Sequence, residues 1–404
     1  MRFSKYNVYI KTKDEGILIY NTLYNKVIKL TNKYYKKVDF NTPKNCSQDV
    51  LQFLTANSFV VDDIRENEFL NLSEKSFIEQ ISTTLFMTLI PSFACNFNCP
   101  YCYENHNNNE KLKTEDYFKI VDYINDVGIN KINLQLFGGE PLLFLTDIYC
   151  FLDKLKCNGV SINGGITTNG YLLTTDVFNK LLEYGFTSFQ VTIDGDPDCH
   201  NATRRLLNGA GTYSTIIKNL IEVSTRKGDF SIIVRCNVSN KTNIGKFLYD
   251  YVNYFGSDNR FSLLLFPVSN WNDAIECSSL ISRKEVFKRY TKRLKQLHIN
   301  DAYVNLYLNN VLCCDFSFPM SFALMPNSKI NFCTINFDRT KEINISDYFN
   351  NYKNVFQSKL LNRCKEKDCV LYPKCFGFKC HKENKKIYCK NMVDDIKQFL
   401  LEYF

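Results

Sequence analysis

Leu85-Phe-Met-Thr-Leu-Ile90 runs through Pro91-Ser-Phe-Ala94 into Cys95-Asn-Phe-Asn-Cys99-Pro-Tyr-Cys102. The first six residues are a short apolar run of strand length. The cysteines follow as C-x3-C-x2-C. Three thiolates this close converge on one metal centre or lie in a tight loop. Iron–sulfur clusters are held by cysteine thiolates, usually four per 4Fe–4S cluster. Three ligands would leave one iron open, and an open coordination position is where a metal does chemistry. Phe97 and Tyr101 lie between the cysteines and can shield a cluster from solvent, which tunes its potential. On these residues alone a structural zinc site is the alternative. A disulfide fits less well, because the cysteine usage is that of an intracellular chain.

The rest of the chain narrows this. With 404 residues there is room for two or three domains, and 45% hydrophobic with 23% charged residues is an ordinary globular balance. The formal charge of +8 is spread along the sequence rather than gathered into a nucleic-acid arm. No signal-peptide core and no apolar run of membrane-spanning length is present. The expectations are therefore a cytoplasmic protein with no nucleic-acid or membrane partner, working best without oxygen. Seventeen cysteines is a high count, and many lie between Cys313 and Cys389. That skew favours metal or cluster ligation.

From Leu85 onward strands and helices alternate. Strands are expected at Leu85–Ile90, Lys131–Phe137, Gly165–Thr168, Ser188–Ile193, Ser231–Val238 and Phe261–Phe266. Helices fill the gaps, closed by Gly128, Gly185 and Gly228. Six such units imply a parallel sheet curled into a partial (β/α)6 TIM-like barrel, with its chemistry on loops at the carboxyl ends of the strands. The motifs fall on that rim: the cysteine loop after strand one, Gly138-Gly-Glu-Pro141 after strand two, Thr168-Asn-Gly170 after strand three, Asp194-Gly195 after strand four, Pro267 after strand six.

Residues 1–75 read as a small winged-helix-like α+β module. Its strands are Asn7–Thr12, Gly16–Tyr20 and Lys26–Leu30, with a helix from Thr31 or Asn32 to Val38, another from Ser47 to Ala56, and Phe59–Val61 pairing back. Ile17–Tyr20 and Val27–Leu30 are expected to present an edge to an extended peptide. Asp62–Lys75 reads as a polar linker with a helix after Ser73. Residues 76–270 then form the barrel, and residues 271–404 a linker helix with a cysteine-rich tail.

C-x3-C-x2-C after strand one, with Gly-Gly-Glu-Pro after strand two, resembles the radical S-adenosylmethionine (SAM) enzymes over about residues 85–270. The resemblance implies that Cys95, Cys99 and Cys102 are the catalytic 4Fe–4S ligands and that SAM chelates the open iron. It implies that Gly138, Gly139 and Glu140 bind the SAM amino group. A carboxylate there suits an ammonium, and glycines permit close backbone approach. Thr192 and Arg204 take the places of contacts to the ribose and carboxylate, Arg being suited to a bidentate grip. Asn237 and Pro267 would border the nucleoside, and Tyr101 would stand beside the cofactor.

The tail resembles the SPASM extension of peptide-modifying radical SAM enzymes. It carries Cys313 and Cys314, then Pro326-Asn-Ser-Lys-Ile-Asn-Phe-Cys333, then Cys364, Cys369, Cys375 and Cys380, and finally Cys389. By resemblance one auxiliary cluster takes Cys333, Cys380 and one or both of Cys313 and Cys314. The other takes Cys364, Cys369, Cys375 and Cys389. Ser328 stands where that pattern commonly has glycine, and the inner gaps are longer than usual. A zinc ribbon is the alternative for this tail.

The resemblance implies reductive cleavage of SAM to methionine and a 5′-deoxyadenosyl radical that abstracts hydrogen from a ribosomally made peptide. The change made is a cross-link or another modification. The partners implied are a precursor peptide with a leader and an electron donor such as flavodoxin or ferredoxin. The competing enzyme is an anaerobic sulfatase-maturing enzyme; such enzymes begin nearer the cysteine motif and tend to carry Asp where this chain has Thr334. A non-catalytic, zinc- or cluster-stabilised peptide-binding scaffold is the reading of another class, and the intact triad, Glu140 and Arg204 speak against it.

Overall fold

The computed structural model describes residues 1–104, 110–268, 280–334, 341–378 and 385–404. Five strands open the chain: β1 (Arg2–Phe3), β2 (Asn7–Lys11), β3 (Ile17–Asn21), β4 (Lys26–Leu30) and β5 (Val60–Val61). β2, β3 and β4 form an antiparallel sheet in that order, and β1 pairs with β5. The helix after Thr31 is one turn, Asn32–Tyr35, shorter than expected. The next runs Gln48–Ala56.

β3 is buried along its whole length. Ile17 and Ile19 pack with Val50 and Leu54 of the Gln48–Ala56 helix. Leu18 and Tyr20 pack with Phe399 and Leu400 of the last helix, Lys385–Tyr403. β3 is therefore the central strand, not the edge that its apolar run suggested. β4 is an outer strand of this sheet. The module is also bolted to the tail by polar contacts: Tyr20 Oη donates to Tyr307 O at 2.9 Å, and Tyr6 Oη to Lys367 O at 2.8 Å.

The expected linker is instead the front of one 20-residue helix, Asp63–Ser82, capped by the Asp62 carboxylate on the Ile64 and Arg65 N–H groups. Its buried residues are Glu66, Leu70, Glu74 and Ile81. Half of that stripe is glutamate, so the sequence looks solvated. Glu66 pairs with Arg2 at 2.8 Å, and Glu74 with Arg363 and, at 3.0 Å, with Lys367. Burial alone would raise the Glu74 carboxyl, but hydrogen bonds from Arg363, Lys367 and Tyr372 outweigh it and hold it below the usual range. Its contribution is therefore complete above the unfolded carboxyl pKa and fades as pH falls through the lowered one. Glu74→Gln is expected to destabilise the protein by roughly 1–3 kcal/mol, because Arg363 loses its buried acceptor. The loss should shrink below about pH 4; an equal Tm difference at pH 7 and pH 4 would exclude this account.

The barrel strands are β6 (Leu85–Leu89), β7 (Lys131–Leu136), β8 (Ser161–Thr168), β9 (Phe186–Thr192), β10 (Ser231–Val238) and β11 (Phe261–Pro267). They pair in parallel in chain order, as the alternation implied. The helices between them supply the outer apolar layer: Phe178, Leu220 and Phe247 pack onto strand residues such as Phe189, Val191 and Val234 in one core. The sheet then continues past β6. β12 (Ser321–Leu324) adds parallel to β6, and β13 (Lys329–Asn331) and β14 (Ile343–Asn344) follow antiparallel, making nine strands. The tail thus closes onto the first barrel strand. The turn between β12 and β13 puts Ser328 at φ 62°. That is the left-handed conformation glycine adopts freely and other residues adopt at a cost. No described helix is long and apolar enough to cross a membrane.

Candidate active site

The carboxyl ends of β6–β11 surround a cavity of about 420 Å³, within the range of small-molecule sites. Cys95, Cys99 and Cys102 line it, with Phe97 and Tyr101 between them. Gly138, Gly139, Thr192, Arg204, Asn237 and Pro267 also reach it, so one chamber collects the residues expected to contact SAM except Glu140; Pro141, Gly170, Asp194 and Gly195 of the rim motifs do not line it. Cys95 Sγ accepts from Phe97 N at 3.4 Å, and Cys102 N donates to Cys99 O at 3.2 Å. Burial pushes the Cys95 thiol up to about 12 and the Cys99 thiol up to about 11, with Arg204 pulling both back. Metal coordination deprotonates a thiol outright. No three described Cys, His, Asp or Glu side chains close around a single ion. A 4Fe–4S cube places each thiolate on its own iron and accommodates a wider set.

The Gly-Gly pair has a local reason. A Cβ on Gly139 would meet Ala94 O at 2.2 Å, and one on Gly138 would meet Ser92 O at 2.7 Å. The loop after β7 therefore lies directly on the base of the cysteine loop, tied by Gly139 N to Ser92 O and Glu140 N to Ala94 O.

Glu140 lies behind the lining residues rather than among them. It is 1% exposed. Its carboxylate accepts from Thr168 Oγ1 at 2.7 Å, Asn169 N at 2.7 Å and Leu142 N at 3.1 Å. Burial raises its pKa against those bonds. It pins the loop after β8, whose Thr168 and Asn169 line the cavity. Glu140→Gln turns one acceptor oxygen into a donor facing N–H or O–H groups. A loss of about 1–3 kcal/mol is expected, with weaker SAM binding as the loop shifts. Unchanged Tm and unchanged SAM affinity would overturn that role.

Asp194, two residues past the end of β9, is a hub the sequence marked only as a rim turn. Its carboxylate accepts from Tyr101 Oη, and from Asn237 N and Nδ2 at 3.0 and 3.2 Å. Arg204 donates from Nη1 to Tyr101 Oη at 3.0 Å and lies 5.6 Å from the Phe97 ring. Arg204 Nε is buried and has no partner among the described residues. Backbone bonds Asn98 N to Arg205 O and Leu207 N to Asn96 O strap the Arg204 loop to the cysteine loop. A buried guanidinium with an open donor beside three thiols fits an anionic ligand group next to a cluster.

Gln190 and Arg235 also line the cavity and were missed. The signal was present. In Ser231–Val238, Ile232, Val234, Cys236 and Val238 are buried, while Arg235 and Asn237 alternate with them. A polar residue on the inward register of a barrel strand faces the lumen.

In the tail, Cys364, Cys369, Cys375 and Cys389 line one small cavity under Leu312 and Tyr372. These are the four residues grouped by the sequence pattern. Cys313, Cys314 and Cys333 are described and are not disulfide-bonded, whereas Cys380 lies outside the described residues. Thr334 reaches the wall of the large cavity.

Residues 89–234 match the model of the Radical SAM superfamily. That stretch carries a radical SAM domain. The superfamily's cofactors are a 4Fe–4S cluster and SAM. The radical SAM cyclopropyl synthase TigE of Paramaledivibacter caminithermalis is 25% identical over 256 residues, 54% of this chain and 53% of that protein. The match thus spans about half the length of that relative. A cysteine-type anaerobic sulfatase-maturating enzyme of Clostridium novyi is 23% identical over 359 residues, 76% of this chain and 93% of the other. Streptococcus suis SuiB bound to S-adenosylmethionine superposes with a TM-score of 0.51 at 15% identity, over 100% of this chain and 98% of that one. That likeness concerns the fold.

Proposed function

We propose that this radical SAM enzyme modifies a ribosomally made peptide. The observation that carries the reading is one chamber walled by the three thiols and by Arg204 with its unpartnered Nε. Cys95, Cys99 and Cys102 hold the catalytic cluster, and Arg204 grips the SAM carboxylate. Thr192 and Asn237 border the nucleoside. Gly138 and Gly139 set the loop that receives the amino group, with Glu140 holding the neighbouring Thr168–Asn169 turn. Bound there, the cluster and SAM supply a 5′-deoxyadenosyl radical. Phe97, Phe137 and Phe266 give part of the chamber an apolar wall. Cys364, Cys369, Cys375 and Cys389 hold one auxiliary cluster, and Cys333, Cys380 and one or both of Cys313 and Cys314 the other.

The relative from Clostridium novyi matures a sulfatase, by its name, which supports a polypeptide substrate. Formylglycine formation is the second reading, and that likeness favours it. Against it stands Thr334 on the chamber wall: a threonine hydroxyl does not serve as a base near neutral pH. The outer strand β4 (Lys26–Leu30) offers an edge to a leader.

The test is anaerobic reconstitution, reduction and incubation with SAM and the precursor encoded nearest this gene. 5′-Deoxyadenosine and a mass change in the precursor are expected, with no change in a cysteine-containing sulfatase peptide. Conversion of the sulfatase peptide alone would reverse the assignment. Leader binding is expected to slow amide exchange across residues 26–30. Slowing confined to other segments would remove β4 from the reading.

A further inference from the structure

A second large groove, of about 920 Å³, lies on the flank where the amino-terminal sheet meets the last helix. It is ringed by six lysines, Lys11, Lys13, Lys29, Lys288, Lys292 and Lys295. Two carboxylates lie among them, Asp14 and Glu402, and Asp14 is already paired with Lys29 at 3.3 Å. Among the described residues, Lys11, Lys13, Lys288 and Lys292 make no ion pair. They are exposed at their positions in the chain, and none of the barrel chemistry uses them.

We propose that this groove docks an acidic one-electron donor protein that reduces the enzyme. The inference rests on the radical SAM reading, which requires a reductant. Three observations favour a redox protein over an acidic peptide. The ring consists of lysines, mobile point charges suited to steering an encounter, with no arginine fork for a fixed grip. It is carried by elements packed together behind it: Ile10 and Leu18 of the sheet share one buried cluster with Phe399 and Leu400 of the last helix. And that helix also carries Cys389, which faces the cavity shared with Cys364, Cys369 and Cys375. Gln398 on the groove is nine residues from Cys389, about 14 Å along a helix. Weak electron-transfer encounters use small interfaces of this kind. The step moves one electron: the donor is oxidised by one, a cluster is reduced by one, and no bond or proton moves.

The experiment compares wild type, a Lys11→Gln/Lys13→Gln/Lys288→Gln/Lys292→Gln variant, and the matching Lys→Arg variant, all with full iron. SAM cleavage is driven by reduced flavodoxin or by dithionite, and flavodoxin binding is measured directly at 50 and 300 mM salt. With flavodoxin, the Gln variant is expected to cleave SAM at least tenfold more slowly at 50 mM salt, with weaker binding and little salt dependence, since steering by surface charge is worth 10-fold or more in association rate. The Arg variant should keep the wild-type rate, and all three should match with dithionite. Equal flavodoxin-driven rates and equal flavodoxin binding in the Gln variant and wild type would overturn the proposal. So would loss of binding to a labelled decaglutamate peptide with the flavodoxin rate intact, which would assign the groove to an acidic peptide. Absence of dithionite-driven cleavage in wild type would fail the radical SAM reading itself.

Discussion

Cys95→Ala/Cys99→Ala/Cys102→Ala is expected to lose SAM cleavage entirely while keeping two clusters. The wild type, reconstituted without oxygen, should hold about twelve iron and twelve sulfide, and the variant about eight of each, from four per cluster. The tail cavity lined by Cys364, Cys369, Cys375 and Cys389 shares no lining residue with the barrel chamber. Loss at one site should therefore leave the other loaded, and the visible absorption should fall by about a third rather than vanish. The triad lies on a loop whose backbone is fixed by contacts that do not involve sulfur: Gly139 N to Ser92 O, Glu140 N to Ala94 O, and Asn98 N to Arg205 O. Alanine should thus spare the fold, and a Tm within a few degrees of wild type checks this. A variant that still cleaves SAM would refute the assignment of the triad. A colourless wild type containing zinc would refute the cluster reading altogether.

Arg204→Lys is expected to weaken SAM binding at least tenfold with the iron content unchanged. A charge-assisted hydrogen bond contributes about 1.5–3 kcal/mol, and lysine keeps the charge but not the planar fork. Arg204 is 8% exposed and is held by Tyr101, which bonds Asp194 in turn. The shorter ammonium cannot hold Tyr101 and meet a carboxylate at the Nε position together. Tyr101→Phe separates the two duties: it removes the hydroxyl between Arg204 and Asp194 and should cost less affinity than Arg204→Lys. Equilibrium dialysis of the iron-loaded proteins against SAM measures both. An unchanged dissociation constant for Arg204→Lys would place the carboxylate elsewhere in the chamber.

The barrel was legible because its signals are local. Most barrel strands are runs rich in apolar residues, and Gly128 and Gly185 follow their helices at φ 76° and 90°; β8, SINGGITT, was legible only in its second half, Gly165–Thr168. The cysteine spacing and Gly138-Gly139 needed no partner to be read. Even the left-handed turn at Ser328 was marked, as the place where glycine was missing.

What the tertiary structure alone decided depends on groups far apart in sequence. The Asp63–Ser82 helix reads as a polar linker because its buried stripe contains Glu66 and Glu74; only Arg2 at one end of the chain and Arg363 and Lys367 near the other make burying those charges tolerable. β3 looks like an edge by itself; β2 and β4 pair with its two sides, and the last helix, some 380 residues on, covers the Leu18 and Tyr20 face. Glu140 reads as a ligand to an ammonium, yet three nearby donors hold its carboxylate and make it a brace. β12 carries no signal that it will extend the barrel at β6, because strand partners are chosen by free edges and not by local pattern. Residue type and spacing determined which chemistry this chain can hold; long-range pairing of charges and strand edges decided where each group stands within it.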